Sequence, residues 1–129
     1  MLERSTARSG EIGAGYLAEL RDVLATISED ALGRAIDRLL EARAKGQRVY
    51  IFGNGGSAAT ASHLVCDLMK TAYVPPFSAL RAYAVMDNLP VLTARSNDDA
   101  YERAVSGQLA ALLEPGDVVI AISASGNSP

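Results

Sequence analysis

The sequence predicts an α/β fold: a parallel sheet with helices on both faces, preceded by two N-terminal helices. Three observations carry that prediction. Residues 49–52, 80–86 and 118–122 form short runs of strand-forming residues with no alternating polar face, which suits strands buried on both sides. Helical periodicity fills the intervals between them. Two of the runs open directly into Gly- and Ser-containing loops, the position where α/β sheets meet their ligands.

Taken in chain order, a polar lead with Ser5, Thr6, Ser9 and Gly10 precedes Tyr16, Leu17, Leu20, Leu24 and Ile27, which recur at helical spacing opposite Glu19, Arg21 and Asp22. A second helix starts at Ser28 as N-cap, with Glu29 and Asp30 in its first turn, where negative charge suits the helix dipole. It turns Leu32, Ile36, Leu39 and Leu40 inward and stops at Gly46. Two amphipathic helices ahead of any strand leave an apolar stripe on the first, to be covered by a helix of another subunit or by the same chain. The first strand leads through Gly53-Asn54-Gly55-Gly56-Ser57 into an Ala-rich helix to about residue 71, whose apolar face is Ala61, Leu64, Val65, Leu68 and Met69. Pro75-Pro76 mark a loop, and Asp87-Asn88-Leu89-Pro90 follow the second strand. Asp98 or Asp99 caps a helix with Tyr101, Val105, Leu109, Leu112 and Leu113 inward, which Pro115-Gly116 ends. The third strand opens into Ser123-Ala124-Ser125-Gly126-Asn127-Ser128-Pro129. The organisation is one domain over 1–129, with helices over 1–46 and strand-loop-helix units over 47–129.

Composition narrows the function. A chain of 129 residues buries roughly two thirds of its unfolded surface, enough for a core without staples. Twelve Lys and Arg against 15 Asp and Glu give a net charge of −3, without the clustered cations of a nucleic-acid binder. Cys66 is the single cysteine, so neither an intrachain disulfide nor a Cys-based zinc site can form, and it is expected to pack as a small apolar residue. Tyr16, Tyr50 and Tyr101 are expected on core or interface surfaces. No apolar leader or run of spanning length occurs, so no membrane partner is expected and the cytoplasm is the default compartment.

The two loops carry the chemistry. Gly53, Gly55 and Gly56 allow a tight turn and close backbone approach, and Ser57 adds a hydroxyl at a helix N-terminus that favours an anion. Ser123, Ser125 and Ser128 place three hydroxyls around Gly126. Together they describe a phosphate cradle without a strong cation. Neither loop has the Lys of a Walker motif. Gly53-x-Gly55-x-x-Ala58 fits the dinucleotide fingerprint in form, but Asp87, the nearest acidic residue at a strand end, lies 29 residues beyond Ala58, so no nucleotide cofactor is expected. Thr60, His63, Asp67 and Lys70 form one polar stripe on the intervening helix. It is either a solvated face or the wall of the crevice, where His63 and Asp67 could serve as metal ligands or as an acid/base pair.

These loops, with Ala58, Ala59, Ala61 and His63 after the first, Asn97-Asp98 ahead of a helix, and Pro115-Gly116-Asp117 leading into the last strand, resemble the sugar isomerase (SIS) domain family in its phosphoheptose isomerase branch. The resemblance implies a flavodoxin-like parallel sheet, a homotetramer built partly through the N-terminal helices, and conversion of D-sedoheptulose 7-phosphate to D-glycero-D-manno-heptose 7-phosphate through an enediol. It places Asn54, Gly55 and Gly56 on the substrate, Ser57, Ser123, Ser125 and Ser128 with the intervening Ala124 around its phosphate, and Asn97 and Asp98 on the sugar chain. In zinc-binding members it implies ligands at His63 and at Asp67, where the family usually has a Glu that is also its acid/base residue. Asp is shorter by one methylene, about 1.5 Å of reach. A misplacement of that size costs on the order of a hundredfold in rate.

The family's second catalytic histidine and a Gln ligand come from a C-terminal helix that this sequence lacks. A C-terminally incomplete chain is therefore expected, because Pro129 after a Ser-rich loop also reads as a helix start. The alternative is a non-catalytic SIS module that binds a sugar phosphate or a protein for regulation.

Overall fold

The computed structural model describes residues 2–127, with side chains from residue 8. The chain divides into two compact units, Met1–Ile36 and Asp37–Pro129.

The first unit is helical. Helix α1 spans Leu2–Leu24, so the polar lead, expected to precede the helix, lies within it. The apolar positions of α1 and the following turn are open, with Tyr16 65% and Leu17 64% exposed. Helix α2, Glu29–Ala44, crosses from the first unit into the second. Its start follows the sequence: the Ser28 hydroxyl accepts from the Ala31 amide at 3.2 Å, satisfying one of the donors a helix start leaves unpaired.

The second unit is a three-stranded parallel sheet in the order β2-β1-β3, with β1 at Arg48–Gly53, β2 at Arg81–Ala84 and β3 at Val118–Ile122. Tyr50 lies opposite Tyr83 on one side and Val119 on the other. Val49 and Ile51, fully buried, join Ala42, Ala61, Leu80 and Ala82 in the core, with Leu64 and Val65 packed against it from the helix after β1 and Leu68 from the turn that follows that helix. That helix, α3 (Gly56–Cys66), therefore covers one sheet face. The other face carries Tyr50 and Tyr83, whose rings stack with centroids 5.6 Å apart, and the Tyr50 hydroxyl donates to the Leu112 carbonyl at 3.2 Å.

Four local expectations are corrected. The second strand ends at Ala84, and Val85–Asp87 form a 3-10 turn. Residues Leu89–Asp98 form a helix, α4: Asn88 caps it by accepting from the Val91 amide, and Pro90 sits in the first turn, where no N–H is needed. Consequently neither Asp98 nor Asp99 caps the next helix, α5 (Tyr101–Leu112): Ala100 precedes it without a side-chain cap, while Asp98 and Asp99 close α4. Finally, α3 passes into a π-helical turn at Asp67–Thr71, with the Ala72 amide donating to the Asp67 carbonyl at 2.7 Å. The wider turn rotates Met69 out of the apolar face, leaving it 48% exposed, and Cys66 is likewise exposed rather than packed.

Candidate functional site

The sheet order brings the two Gly/Ser loops together. β1 connects through α3 to β2 on one side, whereas β3 lies on the other side of β1, so the chains leaving β1 and β3 diverge at neighbouring carboxyl ends. Gly53 is paired with Ile122 at that edge. A Cβ on Gly53 would stand 2.6 Å from the Ser57 Cβ and 2.8 Å from the Ile122 carbonyl oxygen, so only glycine lets α3 start this close to both strands.

The first loop turns at Gly55, whose φ of +54° is in the left-handed region. The Ser57 amide donates to the Asn54 carbonyl, and the Ala58 and Ala59 amides donate to that of Gly55. Gly55 and Gly56 precede these bonds, where helix geometry offers their amides no carbonyl. In the second loop, the Ser123 hydroxyl accepts from the Gly126 amide at 3.0 Å and the Ser125 hydroxyl from the Asn127 amide at 3.2 Å. Ser128 lies outside the described residues. Gly53, Asn54 and Ser123 open onto a cavity of about 290 Å³ between the sheet and α4–α5, whose wall is largely apolar (Phe52, Met86, Leu92, Val105, Leu109) but includes Glu102 and Tyr101.

Asn97 and Asp98 occupy the last turn of α4, joined by a 2.9 Å bond from Asn97 Nδ2 to Asp98 Oδ1, and are not among the residues lining that cavity. His63 and Asp67 stand one helical turn apart on the outer side of α3. Together with Thr60 they border a separate, shallow hollow. His63 Nε2 is 3.5 Å from Asp67 Oδ2, and the Thr71 hydroxyl donates to Asp67 Oδ1 at 3.0 Å, turning the other carboxylate oxygen toward the histidine.

As a zinc site the pair supplies two donors, one imidazole nitrogen and one carboxylate oxygen. Ligands about 2.1 Å from a tetrahedral ion are roughly 3.4 Å apart, an edge that the imidazole nitrogen and the carboxylate oxygen match. Two donors do not complete such a site. Among the described residues no cluster of three or more His, Cys, Asp or Glu could hold a metal ion.

The family profile described as the SIS domain matches residues 15–129. The chain belongs to the SIS domain family. It is 39% identical over 112 residues to the phosphoheptose isomerase of Paramagnetospirillum magneticum, covering 87% of this chain and 58% of that protein. To the probable phosphoheptose isomerase of Thermoplasma acidophilum it is 42% identical over 92 residues, covering 71% and 50%. Among solved structures, phosphoheptose isomerase GmhA from Neisseria gonorrhoeae matches with a TM-score of 0.78 at 28% identity, over 93% of this chain and 62% of that one. A phosphoheptose isomerase from Francisella tularensis matches at a TM-score of 0.81 and 23% identity, which shows the shared fold. The SIS chain described here thus spans between half and two thirds of the length of these relatives.

Within this SIS domain, two contributors to the loop region escape sequence reasoning. Tyr101, expected on a core or interface surface, donates its hydroxyl to Asn54 Oδ1 at 2.8 Å across 47 residues of chain. Glu102, beside it, also lines the cavity. Their position depends on the angle at which α4 turns into α5, and no local pattern encodes that angle.

Proposed function

We propose that this SIS domain is the sugar-phosphate-binding part of a phosphoheptose isomerase, converting D-sedoheptulose 7-phosphate to D-glycero-D-manno-heptose 7-phosphate in the cytoplasm. The carrying observation is the approach of the two loops at the ends of β1 and β3, close enough that Gly53 admits no Cβ beside Ile122 and Ser57. Asn54, Gly55, Gly56 and Ser57 then offer amides and a hydroxyl from one side, and Ser123, Ala124 and Ser125 from the other, while Ser128 is assigned to the same phosphate by the resemblance alone. The cavity beneath suits the phosphate poorly, being apolar and bearing Glu102. The anion belongs at the rim, where backbone donors and the start of α3 favour negative charge. Asn97 and Asp98 are assigned to the sugar chain.

For catalysis, Asp67 is the group that takes a proton from C1 of the open-chain ketose while the carbonyl oxygen on C2 gains one, giving the enediol. The same carboxyl returns a proton to C2 as the hydroxyl on C1 loses its own, leaving the aldehyde at C1. His63 orients the carboxylate or acts as the acid. If zinc is used, His63 and Asp67 hold it together with donors outside the described residues, and the ion supplies polarisation of the substrate carbonyl. The resemblance also assigns a homotetramer, for which the open apolar face of α1 is the natural contact.

A coupled assay for sedoheptulose 7-phosphate isomerisation, run on the full-length protein, tests this reading. Asp67→Asn should lower kcat by a factor on the order of 100 to 10,000 with little change in KM; an unchanged rate would overturn the assignment of Asp67. Tight binding without turnover by the parent protein would favour the regulatory module instead.

A further inference from the structure

We propose that Tyr101 is a positioning residue that fixes the side-chain amide of Asn54, turning its NH2 group toward the bound sugar phosphate. The proposal rests on the reading of the two loops as a sugar-phosphate cradle. An asparagine amide has an acceptor end and a donor end of nearly equal size, so at an exposed loop it can present either one. A substrate rich in hydroxyl and phosphate oxygens needs the donor end. In the structure the phenol donates to Asn54 Oδ1 at 2.8 Å, which occupies the acceptor end and leaves the two Nδ2 protons for other partners. The contact joins the start of α5 to the loop after β1, and Gly53, Asn54, Tyr101 and Ser123 border the same cavity. The Tyr101 ring is half exposed, so its hydroxyl is not retained by burial. The directed bond to Asn54 remains as the specific interaction of that hydroxyl.

Tyr101→Phe keeps the ring and removes only the donor. The first measurement needs no substrate: the Asn54 side-chain NH2 signals in a proton–nitrogen NMR spectrum, assigned by their loss in Asn54→Ala, should move in Tyr101→Phe while the melting temperature stays within a degree or two of the parent. The second is calorimetric titration with sedoheptulose 7-phosphate of the parent, each single variant and the double variant. Tyr101→Phe should weaken binding roughly five- to tenfold, the scale of one hydrogen bond. In the Asn54→Ala background the same change should cost nothing further, because the phenol acts through Asn54. Unmoved Asn54 signals, or penalties that add in the double variant, overturn the proposal. A parent protein that binds no sedoheptulose 7-phosphate while the Asn54 signals still respond to Tyr101→Phe overturns the cradle reading and upholds the positioning of Asn54.

Discussion

Gly53 has the least room for change of the glycines in the two loops. A methyl group there meets the Ser57 Cβ on one side and the Ile122 carbonyl on the other, both closer than real contacts allow. Gly53→Ala should therefore destabilise the domain by about 1–3 kcal/mol, read as a lower urea midpoint, and should weaken sugar-phosphate binding by spreading the loops. Gly55→Ala tests a different requirement: space is open around it, but its positive φ makes a side chain strained, so binding should suffer with a smaller loss of stability. The chemical type of the loop residues was legible in the sequence, since glycines and hydroxyls after a strand leave few alternatives. The pairing of Tyr101 with Asn54 was not, because it joins side chains from distant elements. The same applies to His63 and Asp67: their spacing predicted a mutual contact, and the Thr71 hydroxyl that orients the carboxylate became evident only with the π-helical turn.

Among the elements, the strands of the sheet and the caps of α2 followed from periodicity and end signals, whereas α4 was hidden by its own start. Asn88 and Pro90 belong to the vocabulary of turns, and the same two residues begin a helix when a capping oxygen and a missing N–H are needed there. Once α4 absorbs Asp98, the acidic residues before α5 no longer serve as its cap. The π-helical turn misled in another way: i, i+4 spacing places Met69 on the buried face only while the helix stays α-helical. A third connection gives a pH prediction. Asp117, in the turn before β3, accepts from the Arg48 amide at 2.8 Å and the Glu114 amide at 3.0 Å, tying the start of β1 to the end of the α5 connection. Burial opposes ionisation of this carboxyl, but the two amides and then the Arg48 and Arg81 guanidiniums outweigh it and hold its pKa below the usual 3.8. Because the folded value is the lower one, the stabilisation is complete above the unfolded pKa and is lost as pH falls through the folded value. Urea midpoints should decline on acidification from pH 5 toward pH 2, and Asp117→Asn should flatten that decline at the cost of lower stability at neutral pH.

For the whole molecule, the arrangement of the sheet was readable because uninterrupted apolar strands separated by helices leave few topologies open, and a switch point beside the central strand follows from the strand order. The oligomeric state belongs to this scale too. With Tyr16, Leu17 and Val23 each more than 60% exposed, sedimentation of the full-length protein should give a mass above that of one chain, and Leu17→Glu with Val23→Glu should lower it without altering the sheet. No helix among the described residues is long and apolar enough to cross a membrane. The Gly53–Ile122 pairing has one more consequence. Both jaws of the proposed anion grip grow from the same rung of a single ladder, with no hinge between them, so occupancy should brace β1 and β3 instead of closing a lid. Added sugar phosphate should then slow amide hydrogen exchange in β1 and β3 while leaving the exchange of α1 at its ligand-free rate.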